Sequence, residues 1–183
     1  RTRETFALDY AQVGLLLSAQ GLALGFGHLP ISALADRVSK RLMIAVGLIG
    51  VGLTSLAISF SASFWQLIPI LVVAGLLAAT YHAPASAFLA GTYLAASRGK
   101  ALGMHVIGGS LAFAIAPPLA VGAAGWSGNW RNGFLVMAVF PLIAGVMTLY
   151  LLWRQPEQVA SGARQQREQV NALRALGAIG PLV

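Results

Sequence analysis

The sequence predicts an all-α, polytopic bundle of about five transmembrane helices. Charged residues make up only 9% of the chain against 57% hydrophobic, whereas a soluble domain carries roughly 25% charged residues. A chain with so few charges could not cover a water-facing surface. The charges that do occur are bunched. No acidic or basic residue falls between Tyr10 and Ala35, between Leu42 and Ser97, between Ala101 and Trp130, or between Asn132 and Trp153. The 21 glycines argue the same way, since glycine weakens a helix in water but lets helix backbones approach closely in lipid.

A helix needs about 20 apolar residues to cross a bilayer. The first charge-free interval holds one span, at 12–35. The second is long enough for two, at 42–60 and 65–92, hinged at Ser61-Ala62-Ser63. There, small polar residues stand just before Phe64-Trp65, an aromatic pair suited to the membrane–water interface. The third and fourth intervals supply spans at 101–123 and 133–153. Beyond them Val159–Arg174 is polar and rich in Gln and Arg, which fits a cytoplasmic linker between two bundles. Residues 175–183 read like the opening of another apolar span. The chain therefore divides into a transmembrane unit, 1–157, and a linker with the start of the next helix, 158–183.

The net charge of +7 does not imply a nucleic-acid partner, because the basic residues lie in the gaps between apolar spans, where membrane topology places them. Arg37, Lys40, Arg41, Arg98, Lys100, Arg154, Arg164, Arg167 and Arg174 fall on one side, and Arg1, Arg3 and Arg131 on the other. The positive-inside rule then assigns the side with nine bases to the cytoplasm and places Arg1 outside. An outward start without a preceding targeting segment, at an Arg rather than a Met, leads us to expect an earlier span before residue 1. There are no cysteines, so a disulfide framework and a cysteine metal site are excluded.

Three segments carry more than topology. Ser32-Ala-Leu-Ala-Asp-Arg-Val-Ser-Lys-Arg41 joins the first two spans. A tight turn between membrane helices needs small residues and charges that stay in water. Asp36 is the odd member, since topology asks only for bases; it can cap a helix N-terminus or pair with an arginine. Tyr81-His-Ala-Pro-Ala-Ser86 lies inside the third span. Pro84 removes a backbone hydrogen bond and loosens the helix. His82 either faces the bundle or a watery cavity and titrates, or is a neutral imidazole bonded to a neighbouring helix. In the fourth span, Gly108, Ala112 and Ala116 form a row of small residues, a surface for close helix contact. His105, Gly109 and Ala112 share the adjacent face, and Pro117-Pro118 interrupt the hydrogen-bond ladder.

The first segment resembles motif A of the major facilitator superfamily, Gly-x-Leu-Ala-Asp-Arg-x-Gly-Arg-Lys, with Leu34, Ala35, Asp36, Arg37 and the pair Lys40-Arg41 in the matching places. Ser32 and Ser39 stand for its glycines. The resemblance implies a gating role for Asp36, Arg37, Lys40 and Arg41, through a charge network that latches the outward-facing state. Gly103, Ala112, Ala116 and Pro117 are similar to motif C of antiporter-type members, Gly-x8-Gly-x3-Gly-Pro. Tyr-His-Ala-Pro-Ala-Ser, together with Gly108-Gly109-Ser110, is similar to the fourth- and fifth-helix patterns of the fosmidomycin-resistance-like efflux branch, with Pro84 where that pattern has its acid. Trp153-Arg-Gln-Pro-Glu157 is similar to the end of the sixth helix. The chain would then be helices two to six of the N-terminal half of a twelve-helix protein in a bacterial inner membrane, its C-terminal half lying beyond this sequence.

No P-loop, His-Glu-x-x-His or Gly-x-Ser-x-Gly occurs, so ATP-driven pumping, metalloprotease and hydrolase chemistry have no foothold. No cofactor is implied. His28, His82 and His105 lie on three different spans and could meet at a metal, though nothing in their spacing requires one. No carboxylate lies inside a span, so proton coupling through these helices would use histidines or depend on acids beyond this sequence. The expected function is secondary active transport by alternating access: proton-coupled efflux of a small organic solute or drug. Gln20, Tyr81, His82, Ser86, His105 and Ser110 are the candidate substrate or proton pathway. Two other readings stay open: a homo-oligomeric membrane protein acting as half-transporter or scaffold, and an intramembrane enzyme using His82 and His105.

Overall fold

The structure, a computed structural model, describes residues 6–35 and 37–154, apart from the side chains of Leu152 and Trp153. They form α1 (Tyr10–Ala35), α2 (Lys40–Phe60), α3 (Phe64–Thr92), α4 (Ala95–Ser127) and α5 (Arg131–Trp153). No strand occurs among the described residues, and all five helices are long and apolar enough to cross a membrane. The expected spans are recovered with small shifts at their ends, except in α4. That helix begins at Ala95 and runs to Ser127, so Arg98 and Lys100 lie in its first turns rather than in a gap. Charge marks where hydrocarbon ends, not where helical hydrogen bonding ends, and a helix can project past the apolar layer.

Local chemistry sets the helix ends. Asp9 and Gln12 cap α1 reciprocally: the Gln12 N–H donates to Asp9 Oδ1 at 2.7 Å and the Asp9 N–H donates to Gln12 Oε1 at 3.0 Å. This satisfies two N–H groups that the first turn leaves without helical partners. Ser39 Oγ accepts from the Leu42 N–H at the start of α2. Ser63 and Gln66 do similar work for α3, with Gln66 Oε1 accepting from the Ala62 N–H at 2.8 Å. Helix α4 stops at Gly128, whose φ of 68° lies in the left-handed region that costs glycine no Cβ clash.

The helices pack as an arc. The α2 helix is the most enclosed, lying between α3 and α5. The α1 helix lies along α3, while α4 rests on α5 and touches α3 more lightly. Missing side chains make the closest crossings. A Cβ at Gly47 would stand 2.8 Å from the Tyr81 nitrogen and 2.9 Å from the Leu77 carbonyl oxygen. One at Gly75 would run into the Gln20 carbonyl oxygen and the Ala23 Cβ. One at Gly145 would meet the Ile49 nitrogen at 2.9 Å. In lipid, where apolar surface gains little by leaving hydrocarbon, such backbone proximity is what holds helices together.

The end of the bundle opposite the 36–41 loop is closed by Leu8, Leu16, Ile58, Leu67 and Trp130, flanked by Phe6, Phe64 and Phe134. Arg131 fastens this end. Its Nη1 donates to the carbonyls of Ser59 and Ser61 at 2.5 and 2.7 Å, and its guanidinium sits 4.8 Å over the Trp130 ring. These carbonyls terminate α2, so the cation also faces the negative end of that helix dipole. By contrast α4 buries only Ala124, with Phe113 84% and Trp126 96% exposed.

Candidate functional site

His28 lies seven residues before the end of α1, His82 ten residues before the end of α3, and His105 ten residues after the start of α4. At about 1.5 Å of rise per residue, all three sit roughly 10–15 Å inside the same end of the bundle. Tyr81 stands among them. Its ring is 5.3 Å from that of His82, edge-on, and 5.8 Å from that of His105. His28 stands at the same depth on α1, which lies along α3. His28, Tyr81 and His105 are half-buried, and His82 is exposed.

The backbone explains the placement. Pro84 is buried, and as proline it cannot donate to the Thr80 carbonyl one turn back. The hydrogen-bond ladder of α3 is thus interrupted at the turn carrying Tyr81 and His82, while the helix itself continues. Gly47 brings α2 onto the backbone of this same turn. The phenol and imidazole are therefore presented from a segment braced on one side and loosened along its axis. Chemically the cluster can accept, hold and pass a proton, and can donate hydrogen bonds to a bound solute. No Asp or Glu lies within the five helices. Among the described residues, no group of three His, Cys, Asp or Glu is arranged to hold a metal ion.

The other expected pathway residues are distributed differently. Ser86 is exposed one turn beyond His82. Gln20 is half-buried, eight residues from His28 toward the opposite end of α1. Ser110 donates to the Val106 carbonyl of its own helix at 3.1 Å. The structure thus gathers Tyr81, His82 and His105, adds His28, and leaves Gln20 and Ser110 apart. His28 was legible as a polar group inside a span; only tertiary packing joins it to the others.

Of the loop residues, Asp36 lies outside the described residues. Arg37 is exposed, and its N–H donates to the Leu34 carbonyl at 2.9 Å, closing α1. Lys40 and Arg41 open α2, and the Arg41 guanidinium lies 5.6 Å over the Phe88 ring of α3. This cation–π contact ties the loop to the helix that carries His82. On α4, a Cβ placed on Gly103, Gly108 or Gly109 would meet no neighbouring atom within 4 Å; Ala112 is exposed and Ala116 half-buried. Pro117 lies within the helix. Close backbone crossings of the described helices are made at Gly47, Gly75 and Gly145, and α4 itself is approached one turn past Ala116, where a Cβ on Gly133 of α5 would stand 2.8 Å from the Ala120 carbonyl oxygen.

Five helices long and apolar enough to cross a membrane, with a motif A-like segment between the first two, are what the family comparison explains. The family model of the Major Facilitator Superfamily matches residues 2–180. The chain belongs to this superfamily. Among its curated relatives, the 3-(3-hydroxy-phenyl)propionate transporter of Escherichia coli is 32% identical over 93% of this chain and 41% of its own length. The phosphoglycerate transporter protein of Salmonella typhimurium is 28% identical over 81% of this chain and 33% of its own. The membrane sensor protein UhpC of Escherichia coli is 23% identical over 80% and 33%. The chain thus spans about a third to two-fifths of the length of these relatives. None of the three is a fosmidomycin-resistance protein by name. Membership in the superfamily makes this an integral membrane protein and sets aside the intramembrane enzyme.

Proposed function

We propose that this chain forms helices two to six of the N-terminal half of a secondary active transporter, which moves a small organic solute by alternating access with proton coupling. The observation that carries the proposal is the placement of His82 and His105 against Tyr81 on neighbouring helices, with His28 at the same depth on the helix that lies along α3. Ionisable groups are costly inside a membrane and persist mainly on ion or substrate pathways. Without carboxylates on these helices, the imidazoles are the groups here that can take and release a proton near neutral pH. The names of two relatives, transporters of phosphoglycerate and of hydroxyphenylpropionate, support a small organic solute.

Asp36, Arg37, Lys40 and Arg41 serve as the gate at the cytoplasmic rim in this reading. The Arg41–Phe88 contact supports it by holding the basic end of the connection against α3. The similarity of the α4 row to motif C is the feature that speaks for export in exchange for protons, while the histidine cluster speaks for proton coupling in either direction. The membrane is the bacterial inner membrane, as the bacterial relatives suggest. The test is reconstitution of the full-length protein carrying this sequence in liposomes with an imposed pH gradient. Gradient-driven movement of a small organic solute, abolished by a protonophore, is expected. Identical fluxes with and without the protein would end the proposal.

A further inference from the structure

The groups that face His82 can be followed helix by helix. His28 stands at its depth on α1, which lies along α3, and His105 of α4 packs on the neighbouring Tyr81 ring at 5.8 Å. Tyr81 is beside it on α3. Nearer the rim, Arg41 of α2 lies over Phe88 of the same helix, six residues beyond His82. Each of these is neutral or positive near neutral pH. The described charged residues at this end of the bundle, Arg37, Lys40, Arg41, Arg98, Lys100 and Arg154, are all basic. The positive-inside rule accounts for those rim bases. It asks nothing of histidines two to three turns deeper. A cationic solute would find no counter-charge among these groups. An anion is the charge class they can pair with, and protonated imidazoles offer it charge-assisted N–H donors.

We infer that His28, His82, His105 and Tyr81 bind an organic anion, a carboxylate or a phosphate ester, together with a proton, so that the two cross in the same direction. This rests on the transporter reading above and names the substrate class of that site. An anion against the imidazoles favours their protonated form, and a proton there favours the anion by the same factor, because the coupling of two binding events is reciprocal. Exchange requires solute and proton to compete; a site whose proton creates the anion's partner makes them bind together. The cluster therefore favours cotransport over the exchange suggested by the α4 row.

The test uses the full-length protein in detergent and in liposomes. Binding of 3-phenylpropionate and of 3-phosphoglycerate is measured calorimetrically at about pH 5.5 and about pH 8, the range over which imidazole changes charge. Phenylpropanol and a phenylpropyl ammonium serve as neutral and cationic probes. At least one anion should bind about tenfold or more tightly at the lower pH, with uptake of a proton, as expected for gain of one charge-assisted partner. Which anion binds separates carboxylate from phosphate ester. His82→Gln should flatten the pH dependence. His82→Lys, which keeps the charge at both pH values, should retain anion binding with a weaker pH dependence, an outcome that loss of fold cannot mimic. Tighter binding of the neutral or cationic probe, or anion binding indifferent to pH, would overturn the inference and leave the transporter reading standing. Proton-linked anion binding without any gradient-driven flux would uphold the anion site and remove the transporter reading.

Discussion

Replacement of Arg131 should loosen the end of the bundle away from the motif A loop. Its Nη1 bridges the Ser59 and Ser61 carbonyls, which the last turn of α2 leaves without helical partners. Hydrogen bonds to a charged group contribute roughly 1.5–3 kcal/mol each where water is excluded. Arg131 is only half-buried, so water would replace part of what is lost, and Arg131→Ala should cost about 2–4 kcal/mol after that discount. For a domain of this size each kcal/mol moves the midpoint by about 2–4 °C, giving a fall of about 5–15 °C. Arg131→Lys should recover about half, because a single ammonium keeps the charge at the helix end but not the planar two-carbonyl grip. The assay is thermal unfolding in detergent, followed by intrinsic tryptophan fluorescence and by loss of the monodisperse peak. A fall of less than about 2 °C for the alanine variant would show that the bridge contributes nothing measurable.

Gly75→Val should abolish monodisperse protein, because its side chain would enter the Gln20 backbone on α1, whereas Gly91→Ala, with nothing within 4 Å, should leave thermal stability unchanged or slightly raised; size-exclusion profiles of the two compare them directly. Asp36→Asn should slow transport in proteoliposomes with little loss of folded protein, and unchanged rates would remove its gating role. Phe88→Leu should take about 0.5–1 kcal/mol from the Arg41 contact and change the transport rate; Phe88→Tyr, which keeps a π face, should restore it. A Leu variant with wild-type rates would mean that the stack does not participate in the gate.

That the chain lies in a membrane, and where it crosses, follows from the order of its amino acids. Five apolar spans with no acid inside them point to helices, since lipid offers backbone groups no hydrogen-bond partners. Start signals are equally local: Asp9 and Gln12, and Ser63 and Gln66, stand at capping-box spacing in the chain. The start of α4 is harder to read, because its basic first turns look like a loop when judged by charge. Which small residues pack is settled only in the folded bundle. Gly108, Ala112 and Ala116 have the regular spacing, yet tight crossings of the described helices fall at Gly47, Gly75 and Gly145, and α4 is closely approached only further along, at Ala120 by Gly133. Spacing shows that a face is smooth, but not which helix lies against it. The site divides in the same way. Each histidine can be picked out along the chain as a polar group in an apolar span. Their meeting depends on α1 and α3 running toward the end from which α4 runs back, and on Gly75 letting α1 close on α3. Side chains remote in sequence share a site only when helix lengths and crossings bring them to one depth, and that is a property of the packed bundle.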